Sequence, residues 1–589
     1  MRWILAAVAL IVLSPVGMAL AAAPAAAVET ADAKQIAKLI EQLGSDDYFV
    51  RERAQESLAA IGLEAFDALS EAENHTDIEV AERVRYLLRL VRVQWIRPAD
   101  PPVVKQLLDT YGSGNDEVRQ EIIDKLAALP LPHGVSVPCR LVRFEKSNLL
   151  SRLAALAVIE RQPVDDAEKS QRQELIGQSL GSSPRSSADW LRAYAARQRD
   201  PAGAVATWNK LLDDEVQTYE QFPNQTSASV VFRLLKQHVA LLEQLGRNDD
   251  ALAAMQRTLL FEPENDDGLA QVLTWLVERK AWAVVDAATK QFEERFAQDP
   301  MLLYVLADAC KAQGNIELAN SNAKRALGLN AGNQFQHLAV GFKLQIKGLV
   351  DWSADEYRLS IKLGQPGSHN TFKAQQFLSD MLHDHGDDEE AAKTMEEGVT
   401  STEAAINAGR QVDDLSRELR TGKARMNYYF ACAAERKKEF DKQATHLKAA
   451  LLNDPTDADV LIGLFRHPKL ADADKAKVRQ DIRNAAELFR RQIQESPEEA
   501  MAYNQLAWLI ANTEGDFKEA VRCSEKSLEL RPNAPEYLDT LGRCYFAVND
   551  IDKAIKHQTQ AVTLMPHSGL MKRQLEEFKA AKAKQSDKS

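Results

Sequence analysis

Along almost the whole chain, apolar residues recur at spacings of three and four, and alternating runs of β-branched residues are few. That periodicity lays an apolar stripe along one face of a helix and predicts an all-α chain. The stripes repeat most regularly near the C-terminal end, where Ala520 and Pro532 recur as Ala554 and Pro566, 34 residues on. In the last unit Leu541, Gly542 and Tyr545 fall on a first helix, Asn549 and Asp550 make a turn, and Ala554 and Ala561 fall on a second helix that Pro566 ends. The steric reason is that two antiparallel helices approach closely only where the contact residue is Gly or Ala, with larger residues filling the flanks. Proline then stops the second helix.

Upstream copies keep the same frame: Gly246, Ala251 and Pro263; Leu306, Ala307, Gly314, Ala319 and Ala326; Ala354 and Pro366; Gly386 and Ala391; Ala431, Ala450 and Pro455. The stretch from Trp190 to Leu212 reads as a degenerate first copy. This set of small, aromatic and proline positions resembles the tetratricopeptide repeat. The resemblance spans about residues 188–570, with extra helical sequence near 400–426 and 458–497, and implies an α-solenoid of antiparallel helix pairs.

The N-terminal third repeats differently. An acidic residue precedes a helix in Asp47-Tyr48-Phe49-Val50-Arg51 with Ala54, in Asp77-Ile78-Glu79-Val80 with Val84, and in Asp116-Glu117-Val118-Arg119. Each Asp is expected to accept the orphan N–H groups of a helix start, and Val and Ala recur on one face. With Leu58, Ile61 and Gly62 this resembles HEAT-type repeats over residues 28–162. Residues 163–187 hold Pro163, Gly177, Gly181-Ser182-Ser183-Pro184 and Ser186-Ser187; they break the period and are expected to be a linker. Residues 571–589, poor in apolar side chains after Phe578, are expected to form a flexible tail.

The first residues depart from this pattern. Met1-Arg2-Trp3 is followed by an apolar run from Ile4 to Leu20 and by small residues from Ala21 to Ala27. This reads as a signal peptide over residues 1–27, cleaved after Ala21 or Ala27, so the mature chain is expected in a periplasmic or secreted location with no membrane span. The competing reading is an uncleaved anchor, since the run is about long enough to cross a bilayer.

Composition narrows the function. The formal charge of −13 would repel a polyanion, which argues against nucleic acid as a partner. Cys139, Cys310, Cys432, Cys523 and Cys544 show no CxxC spacing and point to no metal site; they read as buried small hydrophobes, with a Cys523–Cys544 bridge as the competing reading. No Gly-rich phosphate loop, GxSxG, HExxH or EF-hand loop occurs, so neither enzyme nor cofactor is expected. The run His383-Asp384-His385-Gly386-Asp387-Asp388-Glu389-Glu390 reads as two helix ends about a glycine turn in preference to a metal site.

What the repeat resemblance implies is an extended concave surface formed mainly by the first helix of each pair. Counting back from Ala520 would seat Trp508 at the small-residue contact. One extra residue in the turn Asn512-Thr513-Glu514-Gly515 makes Ala507 the contact instead. Asn504, Trp508 and Asn512 then share one groove-facing side, with Asp539 and Arg543 beside them. Asn offers hydrogen bonds to a peptide backbone, Trp508 an apolar platform, and Arg543 a partner for a carboxylate. The competing reading packs Trp508 beneath the neighbouring inserted helix. The leading expectation is an exported scaffold that binds a protein or peptide. A self-associating envelope component comes second, and a hydrolase or metal-dependent enzyme using His383 and His385 third.

Overall fold

The computed structural model describes residues 33–586 apart from 92, 162, 164, 262 and 410–414. The expected signal peptide, residues 1–27, lies outside the described residues. The described chain is all-α, with helices joined by short turns and no strand among the described residues. It divides into two compact units at residue 227.

In the first unit, side-chain caps start the helices where the acidic pattern placed them. Asp47 accepts from Phe49 N at 2.8 Å, and Asp77 from Glu79 N at 2.8 Å. The third cap is corrected by one residue: Asn115 accepts from Val118 N at 2.9 Å, and Asp116 is already the first helical residue. Ile36, Leu43, Ala54, Leu58, Leu69, Val80 and Val84 pack into one core. Deeper in the unit, polar side chains are buried in pairs. Arg140 holds Asp100 through two bonds of 2.7 and 2.8 Å, and Arg152 donates to both oxygens of Glu215 at 2.9 and 3.0 Å. Fully buried Glu145 accepts from Tyr111, Arg119 and the backbone of Ser147.

The stretch 163–187 is not a bare linker. It holds the helix Asp166–Leu180, capped by Asp165, with Arg172, Ile176 and Leu180 buried and Gly181 leaving it at φ +55. Arg172 donates to the carbonyl of Val158 at 2.6 Å. The period breaks because this helix buries a single narrow stripe that includes a charged side chain. The pair Ser186–Arg197 and Pro201–Gln221, which buries Trp190 and Trp208, completes the same unit.

The second unit is a succession of helix pairs. Ala507, Ala520, Ala554 and Ala561 are fully buried at the close contacts. At Gly542 a Cβ would meet Gln558 Oε1 at 2.7 Å and the Ala554 carbonyl at 3.3 Å, so a larger residue would displace the buried Gln558 side chain. The inserted turn residue is present. Four residues separate Ala500–Asn512 from Phe517–Leu530, whereas three separate Pro535–Ala547 from Ile551–Leu564. Asn549 makes that shorter turn in the left-handed region at φ +63.

The two expected interruptions resolve differently. Residues 458–497 are a further pair, Ala458–Arg466 and Asp472–Glu495, with a second helix of 24 residues. Near 400–426 the extra sequence lengthens two helices to 20 and 22 residues. The expected flexible tail is also corrected. Helix Gly569–Ser586 buries Met571, Leu575 and Phe578 against the last pair, and Phe578 stacks on Phe546 at 4.6 Å. Three apolar residues at helical spacing suffice to seat it.

Candidate functional site

The last helix closes the second unit on itself. Asp384, near the end of helix His369–His385, accepts from the Ser568 hydroxyl at 2.9 Å and from the N–H groups of Gly569 and Leu570 at 3.0 and 3.1 Å. Arg573 returns a bond to the Asp384 carbonyl at 3.1 Å. A helix start carries unpaired N–H groups and positive partial charge, so an aspartate supplied from 185 residues upstream serves as its cap. Beside it Gly348, at φ +75, comes so near His567 that a Cβ there would lie 2.8 Å from it.

This closure leaves a cavity of about 760 Å³ whose wall comes mostly from first helices. Each contributes residues one helical turn apart: Asp380 with Asp384, Asn504 with Trp508, Glu536 with Asp539 and Thr540. Phe342, Ile346, Met381, Phe489 and Met571 supply apolar wall between them.

One hydrogen-bonded group runs along the wall. Trp508 Nε1 donates to Asp459 Oδ1 at 2.9 Å, and the Arg425 guanidinium donates to Asp459 Oδ2 at 3.2 Å. Asp457 lies 3.9 Å from the same guanidinium and caps helix Ala458–Arg466 by accepting from Asp459 N and Val460 N. Burial lifts the carboxyl of Asp457 above its ordinary range despite Arg425. It does the same at Asp380, to which Tyr429 donates. Across the wall Asp539 accepts from Gln558 at 2.5 Å, and burial pushes its carboxyl up to about 6, with Asp384 and Asp459 adding like charge. Asn504 Oδ1 is shielded from solvent and has no hydrogen-bond partner among the described residues.

Of the five expected site residues, the fold brings three to this cavity: Asn504, Trp508 and Asp539. Trp508 combines both readings of it. Its ring packs partly against the core under the inserted pair and also lines the cavity. The other two are corrected. Asn512 is buried, donating to the Trp508 carbonyl at 2.9 Å and accepting from Arg466 at 2.6 Å. Arg543 is buried between Phe546 and Phe578 and donates to Glu577 at 2.6 and 3.0 Å and to Gln574 at 2.9 Å. The carboxylate anticipated for it belongs to its own chain, on the helix expected to be a flexible tail.

Residues 500–534 match the tetratricopeptide repeat family. That segment is the helix pair Ala500–Asn512 and Phe517–Leu530. Comparison with curated proteins gave no match. Among solved structures this chain is similar to yeast Tom70, at 15% identity over 82% of this chain and 96% of that one, with a TM-score of 0.26. It is also similar to the TPR2AB domain of yeast Sti1 in complex with pHSP90, at 18% identity over 42% and 96%, with a TM-score of 0.18. A third similarity is to the Cut9-Hcn1 hetero-tetramer of the APC/C, at 12% identity over 92% and 87%, with a TM-score of 0.21.

Asp384, Arg425 and Asp459 were not anticipated at the site. Asp459 sits two residues after Asp457 in a recognisable helix-start pattern, and Asp384 in a run read as a helix end. Nothing near either of them in the repeat array signals the distant groups they meet. The same run also holds His383, whose Nδ1 lies 2.6 Å from Asp388 Oδ1, with Cys432 close by. Arg436 occupies the other oxygen of Asp388 at 2.5 Å, so the carboxylate is satisfied within the protein. Gly386, at φ +92, makes the turn between the two helices as expected. Cys523 and Cys544 are free thiols. Among the described residues no helix is long and apolar enough to cross a membrane.

Proposed function

We propose that this chain is a non-enzymatic binding scaffold whose second unit holds an extended segment of a protein partner in the cavity closed by Asp384. The observation that carries this reading is the wall itself. Side chains from successive first helices converge on one space, where apolar patches alternate with polar groups, the usual make-up of a site that orients a ligand. Trp508 supplies a half-buried aromatic surface whose orientation is fixed by its bond to Asp459.

Selection of a displayed random peptide library on the full chain tests this. Recovered peptides are expected to slow amide exchange in the helices that bear Asp384, Trp508 and Asp539, and Trp508→Ala is expected to abolish their binding. Recovery of the same peptides by Trp508→Ala with undiminished affinity would remove the cavity as the binding site. We also propose an exported location, supported by the apolar run Ile4 to Leu20 and the small residues after it. N-terminal sequencing of the protein from its native cell is expected to begin at Ala22 or Val28; a chain starting at Met1 would refute cleavage.

A further inference from the structure

The cavity wall also specifies what kind of segment fits, and this step rests on the peptide-binding reading above. Seven of the lining residues are carboxylates, and the only Lys or Arg among them is Arg425. Arg425 is already engaged by Asp459 at 3.2 Å and flanked by Asp457 at 3.9 Å, so it offers an incoming anion little. Asp384 is committed to closing the ring. Glu536 is exposed, and Asp539 has Gln558 as its side-chain donor.

We infer that the occupant presents a cation, a Lys or Arg side chain of the partner segment, to the space between Asp539 and Glu536 beside the Trp508 ring. Three independent features of the wall favour a donor-rich cation there. Like charges collected around one space repel each other, and a cation entering between them converts that repulsion into charge-assisted hydrogen bonds. Asn504 Oδ1, one helical turn from Trp508, is a shielded acceptor in want of a donor. Trp508, anchored through its Nε1, presents a fixed aromatic surface to the same cavity, and a cation over an indole face is attracted by the ring quadrupole. The shift of Asp539 to about 6 agrees with this crowding: burial is its main cause, and Asp384 and Asp459 push in the same direction. An acidic segment would meet repulsion from the carboxylates of the wall.

The test uses fluorescence anisotropy with the full chain and three labelled short peptides on one glycine, serine and leucine frame, bearing lysines, glutamates or no charge. The lysine peptide is expected to bind about tenfold more tightly than the uncharged one, the range of one charge-assisted hydrogen bond. That advantage is expected to disappear in Glu536→Gln/Asp539→Asn and to survive in Glu396→Gln/Glu397→Gln, a control on exposed outer positions. Circular dichroism melts verify that each variant folds. Equal loss in both double variants, or no loss in the first, overturns the cation inference by assigning the attraction to overall charge. Equal binding of all three peptides that is lost in Trp508→Ala also overturns it while upholding the peptide-binding reading. Binding of none of the three overturns both.

Discussion

The two compact units differ in emphasis at their helix contacts, although the second also buries Glu356 against Tyr304 and His337. In the first, charged side chains are taken inside and paired across long sequence distances: Arg140 with Asp100, Arg152 with Glu215, and Arg119 with Glu145. In the second, the C-terminal pairs meet through Ala507, Ala520, Gly542, Ala554 and Ala561, and many of the carboxylates collect around a cavity. Buried ion pairs bring specificity at the cost of desolvation, so each partner depends on the other. Small-residue contacts need no partner chemistry and leave polar residues available for the concave face. The second unit is the one whose carboxylates and apolar side chains line the cavity of about 760 Å³.

The largest expected effect breaks the first arrangement. Arg152→Ala strands Glu215, which is 1% exposed and whose carboxyl burial already raises, and is expected to cost about 3–5 kcal/mol in urea unfolding. A loss below about 1 kcal/mol would mean that the pair adds little beyond ordinary surface ion pairing. The counterpart in the second unit is Ala507→Leu. Overpacking this closed contact is expected to cost about 1–3 kcal/mol by the same measurement, and a neutral result would show slack between the helices.

Ring closure gives a smaller and more local signal. Asp384→Ala removes a cap worth about 1 kcal/mol and is expected to speed amide exchange in Gly569–Ser586 while leaving the first unit unchanged. Unaltered exchange in that helix would show that Phe578 and its neighbours alone hold the ring shut.

The smallest effect is that of pH on Asp539. Its folded carboxyl lies at about 6, above the ordinary 3.8, so between these values the folded state binds the additional proton. Its contribution to stability is therefore present below 3.8 and lost as pH rises through 6. Melting temperatures of wild type and Asp539→Asn are expected to diverge in the variant's favour from pH 5 to pH 7; parallel curves would place the carboxyl in ordinary solvent.

The features legible in the sequence were those set by neighbours within a turn or one repeat. Helical period, the caps Asp47 and Asp77, the turn at Asn549 and the small contacts all follow from residues close in sequence. So does the extra residue that moved Trp508 off the contact and left Ala507 there, confirmed by the four-residue turn before Phe517. Arg543 was misassigned for the complementary reason. Its position on the first helix was read from the repeat, but its partner Glu577 lies 34 residues on, in a segment whose few apolar residues gave little sign of packing. Likewise helix Asp166–Leu180 concealed itself, since a buried Arg172 reads as surface until the Val158 carbonyl is beside it.

The sequence by itself determined that this chain is helical and repetitive, because a 3.6-residue period and close Gly and Ala contacts are local requirements. Only the tertiary structure decided where the array closes and which face keeps its charges free. Asp384 meets Gly569 across 185 residues, and whether a charged side chain is spent or available depends on the partner that this distance brings to it.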